Sequence, residues 1–159
     1  MNFRDALNIT LAELTPQPWD YTTPDGATLT VIPAGLREDA GRAEVYLRVT
    51  RDKTHAAEAA ITTTDLPALI DALSAPVTEH WEHEPHWADG TPKGRIGTWL
   101  GDFYGLTLNP MQDGFSLTAV EETDDGVVAA SITLPEAQRL PLTSALRRAM
   151  DVARGWEDQ

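Results

Sequence analysis

Leu29-Thr30-Val31-Ile32-Pro33 returns 77 residues later as Leu106-Thr107-Leu108-Asn109-Pro110. Leu47 within Val45–Val49 is matched by Leu117 within Phe115–Ala119, at an offset of 70. Ala59-Ala60-Ile61-Thr62 is matched by Ala130-Ser131-Ile132-Thr133, at 71. Each series ends in an Ala/Leu-rich stretch, Leu66 to Ala75 and Leu140 to Ala149. The same elements in the same order, twice, predict a duplicated unit, and two such units can pack helices against sheets or sheets against each other to give one shared core. The expected copies span approximately 19–75 and 96–154 of a single domain, 1–159, joined by a connector over 76–95.

Within a copy the pattern reads strand, strand, strand, strand, helix. Trp19–Thr22 and Ala27–Ile32 flank the turn Pro24-Asp25-Gly26. Val45, Leu47 and Val49 alternate with Glu44, Tyr46 and Arg48, the period of a half-buried strand. His55–Ile61 is the fourth strand, though its alanines favour strand weakly. In the second copy Ile96–Leu100, Tyr104–Leu108, Phe115–Glu122 and Val127–Thr133 take the same places, with Asp125-Gly126 as the last turn. Leu66, Leu69, Ile70 and Leu73 make one face of a helix that Thr64 can cap and Pro67 can begin. Thr133-Leu134-Pro135-Glu136 has the form of a capping box. Pro141 then requires either a kink or a short turn before a helix starting near Leu140. Leu142, Leu146, Ala149 and Ala153 are its buried stripe, and Gly155 its stop. Phe3, Leu7, Leu11 and Leu14 are spaced for an N-terminal amphipathic helix. The fold class is therefore α+β: two tandem ββββα-like repeats with antiparallel sheets sharing one core, preceded by a helix.

In element order the chain resembles the duplicated four-strand-plus-helix units of Whirly-type and PUR-type single-strand binders. It also resembles acidic secretion-chaperone-like domains that begin with a helix. The first resemblance implies nucleic-acid binding through basic and aromatic surfaces. The charge departs from that pattern: 12 Lys+Arg stand against 25 Asp+Glu, a net charge of -13, with acids spread along the chain and only two lysines, Lys53 and Lys93. Phosphate binding draws on clustered cations, so nucleic acid and anionic membrane are the disfavoured partners on this reading. A basic protein surface is the expected one.

The absence of cysteine excludes disulfides, thiolate metal sites and cysteine nucleophiles. Met1–Asp5 lacks the basic-then-apolar run of a signal peptide, and no apolar run approaches the ~18 residues of a membrane span, so a cytoplasmic location is expected. Arg over Lys and abundant Ala suggest a GC-rich bacterial or phage genome. Glycines 94, 97 and 101 make neither a dinucleotide fingerprint nor a phosphate loop, and there is no GxSxG or HExxH. The missing signatures point away from an enzyme, and the chain calls for no cofactor.

The connector is unusual. It holds three of the four histidines, His80, His83 and His86, with Trp81 and Trp87 and the acids Glu79, Glu82, Glu84 and Asp89. In a polyproline II conformation, with three residues per turn, the histidines would share one face. Imidazoles among carboxylates suit zinc, nickel or copper, and they also suit pH sensing. The plainer reading is that the tryptophans pin the connector across the sheets. Glu121, Glu122, Asp124 and Asp125 cluster at an expected hairpin tip. The functional expectation is a non-enzymatic acidic protein-binding module, immunity, anti-defence or chaperone-like, contacting a basic partner through Glu121, Glu122, Asp124, Asp125, Trp81 and Trp87. A homodimer through exposed sheet edges is compatible with it. The alternatives are a metal-dependent sensor or enzyme at His80, His83 and His86, and a single-stranded nucleic-acid binder of Whirly- or PUR-like topology using exposed Trp and Tyr.

Overall fold

The computed structural model describes residues 19–36, 43–84, 86, 91 and 105–157. The first antiparallel sheet has the order β1 (Trp19–Thr22), β2 (Thr28–Leu36), β3 (Ala43–Asp52), β4 (His55–Thr62). Helix α1 (Leu66–Ala72) follows it. The second sheet has the order β5 (Trp81–Glu82), β6 (Gly105–Met111), β7 (Gly114–Thr123), β8 (Gly126–Pro135). A 3-10 turn, Glu136–Gln138, leads into α2 (Arg139–Glu157). The expected N-terminal helix and the expected strand Ile96–Leu100 lie outside the described residues. No helix among the described residues is long and apolar enough to cross a membrane.

The alternation in the sequence is the alternation in the sheets. Leu29, Val31, Val45, Leu47, Val49, Ala57, Ala59 and Ile61 point inward and are buried. So do Leu106, Leu108, Phe115, Leu117, Ala119, Ala130, Ile132 and Leu134. The inner faces of β3 and β4 meet those of the second sheet, while α2 lies across β2 and β3 and touches α1. One continuous core results, which is how two one-sided sheets cover each other.

The register of the two sheets agrees with the sequence offsets at the second and third strands and departs from them at the fourth. Val31 faces Leu47, and Leu108 faces Leu117, which reproduces the offsets of 77 and 70. Leu47 faces Ala59 but Leu117 faces Ile132, so the fourth strands correspond at 73 and not at the expected 71. A slip of two residues keeps every side chain on its own face, and the alternation alone could not expose it.

Both helices depart from their expected starts. Asp65, not Thr64, occupies the N-cap of α1, and its side chain makes no capping bond there; Pro67 lies in the first turn. The expected capping box is absent because Thr133–Pro135 completes β8. The 3-10 turn lets α2 begin at Arg139, so Pro141 falls within its first turn, where no intrahelical donor is lost. Gly155 does not stop this helix, which continues to Glu157. Buried Arg139 donates to the Leu73 carbonyl at 2.7 Å and to Glu136 at 2.7 Å, tying the end of α1 to the start of α2. Two carbonyls on the outer edge of β8 are engaged: Arg51 donates to the Ser131 carbonyl at 3.2 Å and His55 Nε2 to the Ala129 carbonyl at 2.8 Å. Those two acceptors are thereby withdrawn from pairing with another strand.

Candidate functional site

The two sheets present the same feature on their outermost first strands. Trp19 of β1 faces Val31. Trp81 of β5 faces Leu108. Val31 and Leu108 are equivalent positions, so the two tryptophans are equivalent too. Both are half-buried, packed on the core on one side and open on the other. The correspondence continues one step along each strand. Tyr21 faces Leu29, and His83 donates its backbone N–H to the Leu106 carbonyl at 2.8 Å. Trp19-Asp20-Tyr21 and Trp81-Glu82-His83 thus share one pattern, ring–acid–ring, with both rings on the inner side of a sheet edge.

Trp81 borders a hollow of about 190 Å³ that Ala72, Val77, Thr78, Glu79, Trp81 and Leu108 help to line. A water takes up about 30 Å³, so the hollow has the room of about six waters. That is below the ~300 Å³ at which small-molecule pockets usually begin.

The histidines do not gather as expected. A polyproline II segment would have aligned them every third residue, but Trp81–Glu82 pairs as a strand with a period of two. His80 and His83 are an odd number apart and therefore diverge. His80 lies 2.6 Å from Asn109 Oδ1 and 2.9 Å from Glu82 Oε1. His83 and His86 converge instead on Asp65. His83 Nε2 is 3.2 Å from Asp65 Oδ2, His86 Nδ1 is 2.5 Å from Oδ1, and the His86 backbone N–H donates to Oδ2 at 3.2 Å. Among the described residues no group of three His, Asp or Glu side chains is arranged to hold a metal ion. The side chains of Asp65 and His83 are 3% and 5% exposed, that of His86 29%. Burial pushes the Asp65 carboxyl up, but the hydrogen bonds from His83 and His86 outweigh it and hold the group below its ordinary value of 3.8. His83 Nδ1 is buried with no partner among the described residues.

The acids of the second sheet are dispersed. Asp124 and Asp125 are exposed in the β7–β8 turn, where the Asp125 N–H donates to Thr123 Oγ1 at 3.3 Å. Glu121 is half-buried and faces Val128, two residues back from the tip. Glu122 faces Val127 within the ladder. Trp87 lies outside the described residues.

The outer faces of the sheets are rich in hydroxyls. Thr22, Thr28 and Thr50 form one row, Thr107, Thr118 and Ser131 another, and Asn109, Ser116 and Thr133 a third. Cations are few, and those on the first sheet are partly engaged. Arg48 pairs with Glu58 at 2.6 Å and Arg51 with Asp25 at 3.4 Å. Arg147, Arg148 and Arg154 are exposed on α2. Sequence reasoning did not single out Trp19, Tyr21, Asp65 or these arginines. The shared ring–acid–ring tripeptide was the available signal for the first pair. Nothing local marks Asp65, whose partners are 18 and 21 residues away.

No protein-family model matches the chain, and neither does any curated protein. Among solved structures the fold is similar to that of the plant transcriptional regulator PBF-2, with a TM-score of 0.57 and 18% identity over 91% of this chain and 87% of that one. It is likewise similar to WHY3 from Arabidopsis thaliana, with a TM-score of 0.55 and 17% identity over 91% of this chain and 94% of that one. The shared fold with a transcriptional regulator overturns the expectation of an acidic module engaging a basic protein surface. The expectation of a protein partner over nucleic acid falls with it. Net charge was the wrong guide because it sums over the whole surface, whereas an interface is local.

Proposed function

We propose that this chain binds single-stranded nucleic acid, as its Whirly-like topology suggests, by stacking bases on the edge aromatics of its two sheets. The observation that carries the reading is the equivalent placement of Trp19 and Trp81, each half-buried on the first strand of a sheet. It is joined by the likeness of fold to a transcriptional regulator across 91% of the chain. Every base has a π-face, so aromatic platforms hold single strands with little regard to sequence, at about 1–3 kcal/mol per stacked base. The core side of each indole is fixed by packing, so little freedom remains to be lost on binding. Threonine and serine hydroxyls on the sheets and the three arginines of α2 supply the polar contacts to sugar and phosphate. On this reading the two halves are tandem copies of one ββββα unit, and the duplicated unit supplies two platforms.

The test is a titration of the protein into a fluorescently labelled oligothymidine at 150 mM salt, read by anisotropy, with intrinsic tryptophan fluorescence followed in parallel. Saturable binding with quenching is the expected result. No binding even at low salt would end the proposal.

A further inference from the structure

We infer that Asp65 is a positioning residue for Trp81: it clamps the segment after β5 to the head of α1 and so holds the second aromatic platform at the sheet edge. The inference rests on the reading of Trp81 as a base-stacking residue.

An aspartate at a helix N-cap ordinarily spends its carboxylate on the first free N–H groups of its own helix. Asp65 does not; it makes no side-chain capping bond to α1. Both of its oxygens instead receive donors from the segment that follows β5. Oδ1 takes the His86 ring, and Oδ2 takes the His83 ring and the His86 backbone N–H. The carboxylate is 3% exposed, so these contacts are shielded from water and from salt.

The clamp matters because β5 is weak alone. It has two residues, Trp81 and Glu82, paired with β6. Two ladder positions cannot hold an edge strand against fraying. His83 adds the next link through its N–H to the Leu106 carbonyl, and its ring is where Asp65 takes hold. Trp81 is two residues from that point. The first sheet needs no such device, because β1 pairs with β2 over four residues, from Trp19 to Thr22. His83 Nδ1 is buried and has no partner among the described residues, so within them the ring is held through its Nε2 contact with Asp65.

The experiment compares full-length Asp65→Ala, Asp65→Asn and His86→Ala with the wild type, using amide hydrogen exchange and oligothymidine anisotropy. Asp65→Ala is expected to speed exchange at Trp81, Glu82 and His83 while β7 and β8 stay protected. It should also weaken binding by roughly 5- to 140-fold, the loss of one stacked base. Asp65→Asn keeps one acceptor oxygen and should fall between wild type and alanine. His86→Ala removes a partly exposed ring and keeps the fold, which leaves the test intact if Asp65→Ala unfolds. Wild-type affinity in folded Asp65→Ala or His86→Ala would overturn the inference, as would a uniform rise in exchange across both sheets. If the wild type itself fails to bind, the stacking function is lost, while the exchange pattern at β5 still decides whether Asp65 acts as a clamp.

Discussion

Replacing Trp19 and Trp81 by leucine, singly and together, removes the π-face of each platform and keeps apolar packing against Val31 and Leu108. Each loss is expected to cost about 1–3 kcal/mol of binding, a factor of roughly 5 to 140. The residues sit on different sheets and share no cross-strand partner, so their effects should add to within about 0.5 kcal/mol. The double variant then loses about 2–6 kcal/mol. The salt dependence supplies an independent measure. A single strand releases about 0.7 counterion per phosphate neutralised. If Arg147, Arg148 and Arg154 supply three contacts, the slope of log K against log salt is about −2 at its steepest. Between 50 and 200 mM salt the affinity would fall no more than about 16-fold on that slope. The assay is anisotropy with labelled oligothymidine over that range, with Trp156→Leu as a control for a tryptophan packed on the core from α2. Wild-type affinity in the double variant would refute the stacking argument. So would an equal loss in Trp156→Leu, or a slope far steeper than −2.

Arg147→Ala, Arg148→Ala and Arg154→Ala should each flatten the salt slope by about 0.7 with little change in melting temperature; an unchanged slope would remove α2 from the interface. The Asp65 carboxyl is held below its ordinary value of 3.8 in the folded chain, so the stability it contributes is present above that value and is lost as pH falls through the folded value. The urea midpoint of the wild type is therefore expected to drop more steeply below about pH 4 than that of Asp65→Asn; parallel curves would contradict the assignment. Gly114→Ala would drive a Cβ into the Leu134 carbonyl and against Pro135 Cα, both backbone atoms of the neighbouring strand. A loss of about 1–3 kcal/mol is expected from such overpacking, measurable by thermal melting, and an unaltered melting temperature would show that β8 can move aside.

The strands of the core were legible because their alternation is a direct consequence of half-burial. Val45, Leu47 and Val49 on one side and Glu44, Tyr46 and Arg48 on the other leave little choice of register face. The helical stripe from Leu142 to Ala153 was legible for the same reason, at the period of a helix. The first strand of the second sheet was not. It was sought at 96–100, where spacing from the first copy would put it, but β5 is at Trp81–Glu82, inside the stretch read as a connector. The long passage from β5 to β6 sets it away from its expected spacing, and its resemblance to β1 lies in its side-chain pattern alone. The histidine alternative rested on one assumption about backbone period. Three residues per turn would gather His80, His83 and His86, whereas strand pairing at Trp81–Glu82 separates the first from the second. Asp65 was invisible because its environment is made wholly by tertiary contacts.

If the chain binds nucleic acid as proposed, its acidity decides which nucleic acid it favours. Of the cations in the described residues, Arg48, Arg51 and Arg139 are engaged by carboxylates or backbone carbonyls, which leaves exposed Lys53 in the β3–β4 turn and Arg147, Arg148 and Arg154 together on one helix. A duplex presents one negative charge per ~1.7 Å of its axis and keeps its bases stacked inside. Against a surface of net charge -13 it meets repulsion and finds no π-contact to offset it. A single strand carries fewer charges per unit length and can turn its bases onto the indoles. Beyond about 8 Å the repulsion is screened at physiological salt, while stacking on Trp19 and Trp81 is not. Unlabelled duplex of the same sequence is therefore expected to compete at least tenfold more weakly than the single strand at 150 mM salt, a difference of about 1.4 kcal/mol. It should compete more weakly still at low salt, where screening is lost. A duplex that gained on the single strand as salt was lowered would be held by its phosphates, and the edge tryptophans would then have no part in the choice.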